Sequence, residues 1–287
     1  MAQCAFPGCP KPAFPGGLYC SRRHRDAAPN QVKICEYPEC GAPVSAGLAY
    51  CCADHQKAVP GIVRLEQTDA KYQDVLSQFQ KKWLHSTNYP NVQYIFQVLQ
   101  PRTAVAAYQD YRDEVESRGL FVAKGFEPGN QQRRFHGTKR ACSLGNDGST
   151  DLCSFKECCL CGIIKTSFKV SLAGQNNPWH RRPGRFGRGI YTSATSSKAN
   201  DYSKNLPAGR SRSKAMLLTR IVVGKGEKVT KSEPLWKGPS PGYDSIIGEP
   251  DPKRKRLLPW TGLNYDKLVV YKDCAAIPAY LIIYESP

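Results

Sequence analysis

The spacing of the cysteines constrains this chain more than any other feature. Cys4, Cys9, Cys20 and His24 follow the pattern C-x4-C-x10-C-x3-H, and Cys35, Cys40, Cys51 and His55 repeat it with every position displaced by 31. The residues between them echo as well: Phe6 with Tyr37, Pro7 with Pro38, Pro12 with Pro43, Gly16 with Gly47, Tyr19 with Tyr50. This is a duplicated unit. Three thiolates and one imidazole make a closed tetrahedral set, which suits structural zinc and leaves no position open for a reacting molecule. Each unit is too short to bury a core, so metal binding must supply most of its folding free energy. Zinc modules are therefore expected over 1–29 and 30–58, with Cys52 as a spare thiol. Their contacts stay open between nucleic-acid phosphate, through Arg22, Arg23 and Arg25, and a protein-docking or purely structural role.

A third set, Cys142, Cys153, Cys158 and Cys161, is spaced C-x10-C-x4-C-x2-C, with Cys159 extra. Four thiolates ending in CxxC again suit structural zinc, so two or three ions are expected. The start of the sequence lacks a basic stretch followed by an apolar one, and no apolar run reaches the roughly 18 residues that span a bilayer. The expectation is an intracellular protein, nuclear or cytoplasmic, without a membrane segment, whose 13 cysteines serve metal rather than disulfides. The formal charge of +17 favours polyanionic partners, including nucleic acid, or else a solvated basic surface. The run Lys253-Arg254-Lys255-Arg256 reads as an exposed loop or a nuclear-localisation patch.

Patterning beyond Ala58 predicts an α+β domain dominated by sheet. Val75, Phe79 and Trp83 share one helical face, placing a helical linker over 59–90 before a larger domain over 91–287. Val92 to Val98 alternates as a half-buried strand would, and Ala104 to Glu116 reads as an amphipathic helix ended by Gly119. Strands are predicted at Arg133 to His136, Phe168 to Leu172, Met216 to Val223, Lys267 to Tyr271 and Ala279 to Tyr284. The Gly- and Pro-rich stretches Gly174 to Arg188 and Ser232 to Lys255 read as functional loops.

Four motifs then appear in a recognisable order. They are Arg134-Phe135-His136-Gly137-Thr138, Phe186-Gly187-Arg188-Gly189-Ile190-Tyr191, a second tyrosine, Tyr202, eleven residues after Tyr191, and LNYDKLVVY from Leu263 to Tyr271 followed by PAYLIIY. Together they resemble the poly(ADP-ribose) polymerase family of NAD-dependent ADP-ribosyltransferases, over roughly Asn91 to the C-terminus. The resemblance implies a mixed-sheet transferase domain with NAD+ as substrate and a protein or nucleic-acid acceptor. It implies that His136 and Thr138 lie in the NAD-binding strand end, with His136 on the adenosine ribose hydroxyls and the Gly137 backbone on the nicotinamide carboxamide. Tyr191 and Tyr202 would sandwich the nicotinamide ring. The third cysteine set resembles the small zinc site that tankyrase-like members carry between the His-Gly and GIY motifs. Arg181, Arg182 and Arg185 read as pyrophosphate contacts or as a solvated basic loop.

Two departures bear on chemistry. The serine expected three residues before the second tyrosine is Ala199, with Ser197 nearby but out of register. The catalytic position that holds glutamate in polymer-forming members is Lys267. Breaking the glycosidic bond develops positive charge that a carboxylate stabilises and an ammonium opposes. The expected activity is therefore transfer of a single unit rather than polymer synthesis. The alternative is a catalytically impaired zinc protein that keeps the fold and binds NAD, ADP-ribose or nucleic acid.

Overall fold

The computed structural model describes residues 50–84, 88–174, 184–206, 211–249 and 266–285, and positions 3, 4, 8–13, 20, 21, 24, 35, 37, 40 and 42–44. Arg22, Arg23, Arg25, Arg181, Arg182 and the basic run at 253–256 lie outside the described residues. The chain divides into two compact units, Met1–Lys57 and Ala58–Pro287. In the first, α1 (Ala53–Ala58) carries His55.

The second unit is built on sheet. In chain order its elements are β1 (Gly61–Arg64), α2 (Ala70–Lys81), β2 (Asn91–Leu99), α3 (Arg102–Gly119), β3 (Gln131–Gly137), β4 (Lys139–Arg140), α4 (Cys159–Thr166) and β5 (Ile190–Thr192). They continue with α5 (Ser196–Asn200), β6 (Lys204–Asn205), β7 (Ser213–Val222), β8 (Gly226–Val229), β9 (Ser245–Gly248), β10 (Lys267–Val270) and β11 (Ala276–Glu285). Five strands form one antiparallel sheet in the order β1-β2-β11-β7-β3. A second sheet runs β5-β10-β9-β8, and β4 pairs with β6 in parallel.

Helices cover both faces of the large sheet, so its central strands are apolar on both sides rather than alternating. Leu217, Ile221, Leu281 and Ile283 pack with Tyr108, Tyr111 and Val115 of α3 and with Leu160 and Ile164 of α4. The intervening Met216, Leu218, Ile282 and Tyr284 pack with Tyr72, Val75 and Phe79 of α2. The expectation of a half-buried strand at Val92 to Val98 is corrected for this reason: Ile95 faces α2, Phe96 faces the other core, and both are fully buried. Among the described residues no helix is long and apolar enough to cross a membrane.

Other expectations also give way. Segment 59–90 is not a linker: β1 pairs with β2 as an edge strand, and α2 closes one face of the sheet. Phe79 anchors that face, with ring centroids 5.1 Å from Tyr284, 5.6 Å from Trp83 and 6.0 Å from Phe135. Gly119 ends α3 as expected, followed by Leu120 at φ 49°. Phe168 to Leu172 is no strand. Phe168 buries its ring, Asp273 Oδ1 accepts the Val170 N–H at 2.7 Å, and Val170–Leu172 forms a 3₁₀ turn. The loop expected over Ser232 to Lys255 contains β9, which pairs with β10.

Candidate functional site

The first two cysteine sets repeat in three dimensions as they do in sequence. The Cys20 N–H donates to Cys4 Sγ at 3.2 Å and the Cys51 N–H to Cys35 Sγ at 3.3 Å. The Cys4 N–H donates to Lys11 O and the Cys35 N–H to Ala42 O, again 31 residues apart. In each of the three sets the four ligand atoms lie within 4.8 Å of one another. Ligand pairs measure 3.4 Å for Cys9–Cys20, 3.5 Å for Cys40–Cys51 and for Cys142–Cys161, and 3.2 Å for Cys51 to His55 Nδ1. A tetrahedral zinc with ordinary bond lengths has edges of roughly 3.8 Å between sulfurs and 3.5 Å from sulfur to nitrogen. The sulfurs are far beyond disulfide length, about 2.05 Å. These edges fit a metal ion held by Cys4, Cys9, Cys20 and His24, by Cys35, Cys40, Cys51 and His55, and by Cys142, Cys153, Cys158 and Cys161. Backbone amides aimed at the sulfurs, including the Ala141 N–H on Cys158, are what orients thiolate ligands. Tyr37 stacks on the His55 ring at 4.0 Å, fixing the imidazole plane.

In the larger unit, the first two motifs and the described part of the fourth, from Asp266 to Tyr271, come together where β3, β5 and β10 adjoin. Phe135 and Ser193 exchange backbone hydrogen bonds of 2.8 and 3.0 Å, tying β3 to β5. Beside this junction His136 Nδ1–H donates to the Tyr191 carbonyl at 2.9 Å. That bond fixes the tautomer, leaving Nε2 as an acceptor for a ligand hydroxyl. Burial pushes the His136 pKa below the usual imidazole value, which keeps the ring neutral. The Phe168 ring meets it edge-on at 5.1 Å.

Gly137 is a position where no side chain fits, because a Cβ there would lie 1.9 Å from the Ala199 carbonyl of α5. The strand end and α5 therefore touch backbone to backbone, and the Lys204 N–H donates to Thr138 O at 3.2 Å just beyond. The Tyr202 N–H donates to Ala199 O, so the second tyrosine leaves directly from α5. Its ring is 53% exposed, open to a stacking partner. Lys198 Nζ lies 5.4 Å from that ring's centroid and pairs with Asp201 at 2.8 Å.

Tyr191 is more fixed. Its hydroxyl donates to Gly187 O at 2.8 Å and accepts the Phe186 N–H at 2.9 Å, and burial pushes its pKa up to about 12. Gly187 holds φ +76° where a Cβ would strike the Trp236 carbonyl, so the FGRG turn needs glycine there. Tyr271 OH donates to Phe186 O and secures the same turn from β10's end.

β10 pairs with β5 through Leu268 opposite Thr192 and Val269 opposite Tyr191, which brings Lys267 to this junction. Burial lowers the Lys267 pKa to about 8, helped by the nearby cations Arg185 and Lys198. Asp266, the residue before β10, is a clamp. Its carboxylate accepts from Ser193 Oγ at 3.1 Å and from the Ala194 N–H at 3.0 Å, shaping the lead into α5. Ser197 is buried, and its hydroxyl accepts the Leu84 N–H at 2.9 Å, so it is committed to the scaffold. Ser196 donates to Phe79 O at 2.7 Å, and together these bonds staple α5 to the end of α2. Sequence reasoning missed Lys198 and Asp266. The only signal for either was proximity to Tyr202 and Lys267 in the chain.

Residues 69–286 match the family model described as the poly(ADP-ribose) polymerase catalytic domain. Among curated proteins, the chain is similar to protein mono-ADP-ribosyltransferase PARP3 of Homo sapiens, 32% identical over 83 residues, covering 28% of this chain and 16% of that protein. The Mus musculus counterpart is 36% identical over 73 residues, 24% of this chain and 14% of that protein. The Gallus gallus counterpart is 31% identical over 115 residues, 36% of this chain and 21% of that protein. The similarity thus spans between 14% and 21% of those relatives' lengths.

Proposed function

Because this chain belongs to the poly(ADP-ribose) polymerase catalytic-domain family, we propose that it transfers single ADP-ribose units from NAD+ to a macromolecular acceptor, releasing nicotinamide. The observation that carries the reading is the meeting of His136, Gly137, Tyr191 and Tyr202 at the β3–β5–α5 junction. His136 Nε2 accepts a hydroxyl of the adenosine ribose. Gly137 presents bare backbone to the carboxamide, with Thr138 following it. Tyr191 and Tyr202 offer the two aromatic faces that a pyridinium ring stacks between. Tyr191, pinned at its hydroxyl, is the fixed wall, and the more exposed Tyr202 is the adjustable one. Ser197 Oγ accepts the Leu84 N–H, which ties that hydroxyl to the scaffold.

Lys267 decides how far the reaction goes. Polymer growth needs a carboxylate at this position to engage the ribose hydroxyl of the growing end, and an ammonium cannot accept that hydrogen bond. Single-unit transfer fits this residue, as does the mono-ADP-ribosyltransferase title of the relatives. The three cysteine sets hold zinc as a structural ion, which cross-links short loops that have little core of their own. NAD+ titration tests the clasp. Tyr202→Ala should weaken binding by about 1–3 kcal/mol, roughly 5- to 150-fold, and His136→Ala by a comparable amount. Unchanged affinity in both variants would remove the proposed pocket.

A further inference from the structure

Arg140 is among the largest side chains that the fold buries completely, with 1% of its surface exposed. A guanidinium stays charged under ordinary conditions, so burying it calls for a counter-charge. Its hydrogen-bond acceptors are all neutral. Nε donates to Asn205 Oδ1 at 3.0 Å, Nη1 to Leu144 O at 2.8 Å and to Asn146 Oδ1 at 2.9 Å, and Nη2 to Ser213 O. Among the described residues no carboxylate pairs with it. The third cysteine set lies alongside. The Ala141 N–H donates to Cys158 Sγ at 3.3 Å, and Leu144 and Asn146 follow Cys142 in the loop that this ligand opens. The thiolates of Cys142, Cys158 and Cys161 favour the charged form of Arg140. Zinc held by four thiolates keeps a net double negative charge. Without the ion the four thiolates cannot stay gathered, and the counter-charge disperses with them.

The rest of the Arg140 network runs toward Tyr202, which stands on a short span between α5 and β6. The α5 end of that span is fixed through Asn200 Oδ1, which accepts Tyr284 OH at 2.9 Å and Lys214 Nζ at 3.0 Å. The β6 end is fixed against β4. There the Lys204 N–H donates to Thr138 O at 3.2 Å and the Leu206 N–H to Arg140 O at 2.8 Å. The Asn205 side chain, held by Arg140 Nε, passes the anchorage on by donating to Ser211 O at 2.8 Å and Ser213 O at 2.9 Å.

We propose that Arg140 is a positioning residue for the nicotinamide clasp, coupling occupancy of the zinc site of Cys142, Cys153, Cys158 and Cys161 to the placement of β6 and so of Tyr202. The proposal rests on the transferase reading for what Tyr202 touches. With zinc bound, the tetrathiolate and the guanidinium offset one another, and Arg140 holds β6 in place. With zinc gone, Arg140 is a buried cation among neutral partners, which is strongly unfavourable. It swings toward solvent and releases Asn205, Leu144 and Ser213. Tyr202 then loses one end of its support, while His136, bonded to the Tyr191 carbonyl, keeps its own. Zinc at this site thereby governs the nicotinamide end of the cleft and spares the adenosine end.

The test titrates the full chain and the variants Cys142→Ser, Arg140→Met and both combined with NAD+ and with ADP-ribose, which lacks the nicotinamide ring. Each single variant should weaken NAD+ binding roughly fivefold or more and ADP-ribose binding less than about twofold, and the combined variant should be no worse than either, because both changes cut one path. Arg140→Lys should recover part of the loss, since it keeps the charge with fewer donors. Hydrogen exchange at the Lys204 and Leu206 amides should quicken in Cys142→Ser with no ligand present. Equal weakening of both ligands overturns the proposal in favour of general loosening, and additive losses in the combined variant overturn it in favour of separate effects. Unchanged exchange at those two amides also overturns it, whether or not Arg140→Met folds. Failure of the zinc-loaded wild type to bind NAD+ removes the transferase reading instead, and the exchange result then decides by itself whether zinc and β6 are coupled.

Discussion

In the proposed transfer, Lys267 makes turnover pH-dependent in the direction its lowered pKa sets. Burial and two cations lower its pKa to about 8. A lysine with a lowered pKa is charged below that value and neutral above it. At pH 7 the ammonium outnumbers the amine roughly tenfold, and at pH 9 the ratio is inverted. An ammonium about 5 Å from the carbon developing positive charge opposes it by about 3 kcal/mol at an effective dielectric of about 20. That is over a hundredfold in rate. With water as the acceptor, turnover then belongs to the amine form, and nicotinamide release should rise about tenfold from pH 7 to pH 9. The assay is chromatographic quantification of nicotinamide at saturating NAD+ from pH 6.5 to 9.5, less the enzyme-free rate. Lys267→Met should be flat across this range, at or above the wild-type plateau. A flat wild-type profile, or a rise that persists in Lys267→Met, would refute the reasoning.

Three further outcomes follow from the same geometry. Ala199→Ser restores a hydroxyl where the family usually has one and should tighten NAD+ binding by about 0.5–1.5 kcal/mol, seen as a two- to tenfold lower KM. Cys142→Ser should lower bound zinc, measured by elemental analysis, from three ions per chain to two, and lower Tm, because β4 and α4 are joined through that cluster. Phe79→Ala should cost about 3–5 kcal/mol by opening the aromatic cluster under the sheet. It should also raise the KM for NAD+, because the main chain at Phe79 holds Ser196 of α5.

What was legible in the sequence is what local chemistry dictates. The ligand spacing alone defined three sets whose atoms do converge, because short loops between chelating residues leave few other arrangements. Strands β7, β10 and β11 were legible from continuous apolar runs. What was not legible depends on partners distant in sequence. Segment 59–90 looked like a linker because β1 makes sense only beside β2, and Val92 to Val98 looked half-buried because α2 covers its second face. Phe168 to Leu172 has strand-like residues, but a carboxylate 103 positions away caps its turn. Asp266 precedes β10, and its carboxylate reaches the backbone of Ala194, a partner 72 positions away. Ser197, out of register in the sequence, takes the Leu84 N–H, a partner 113 positions away that the sequence does not indicate.

The most direct measurement is the stoichiometry of the reaction itself. Purified protein with adenylate-labelled NAD+ should release nicotinamide and fix label on a macromolecule in equal amounts, one ADP-ribose per modified site, and Tyr191→Ala should lose both together. Label bound reversibly with no nicotinamide released, in the wild type and in Lys267→Glu alike, would show a pocket that holds the dinucleotide without breaking it.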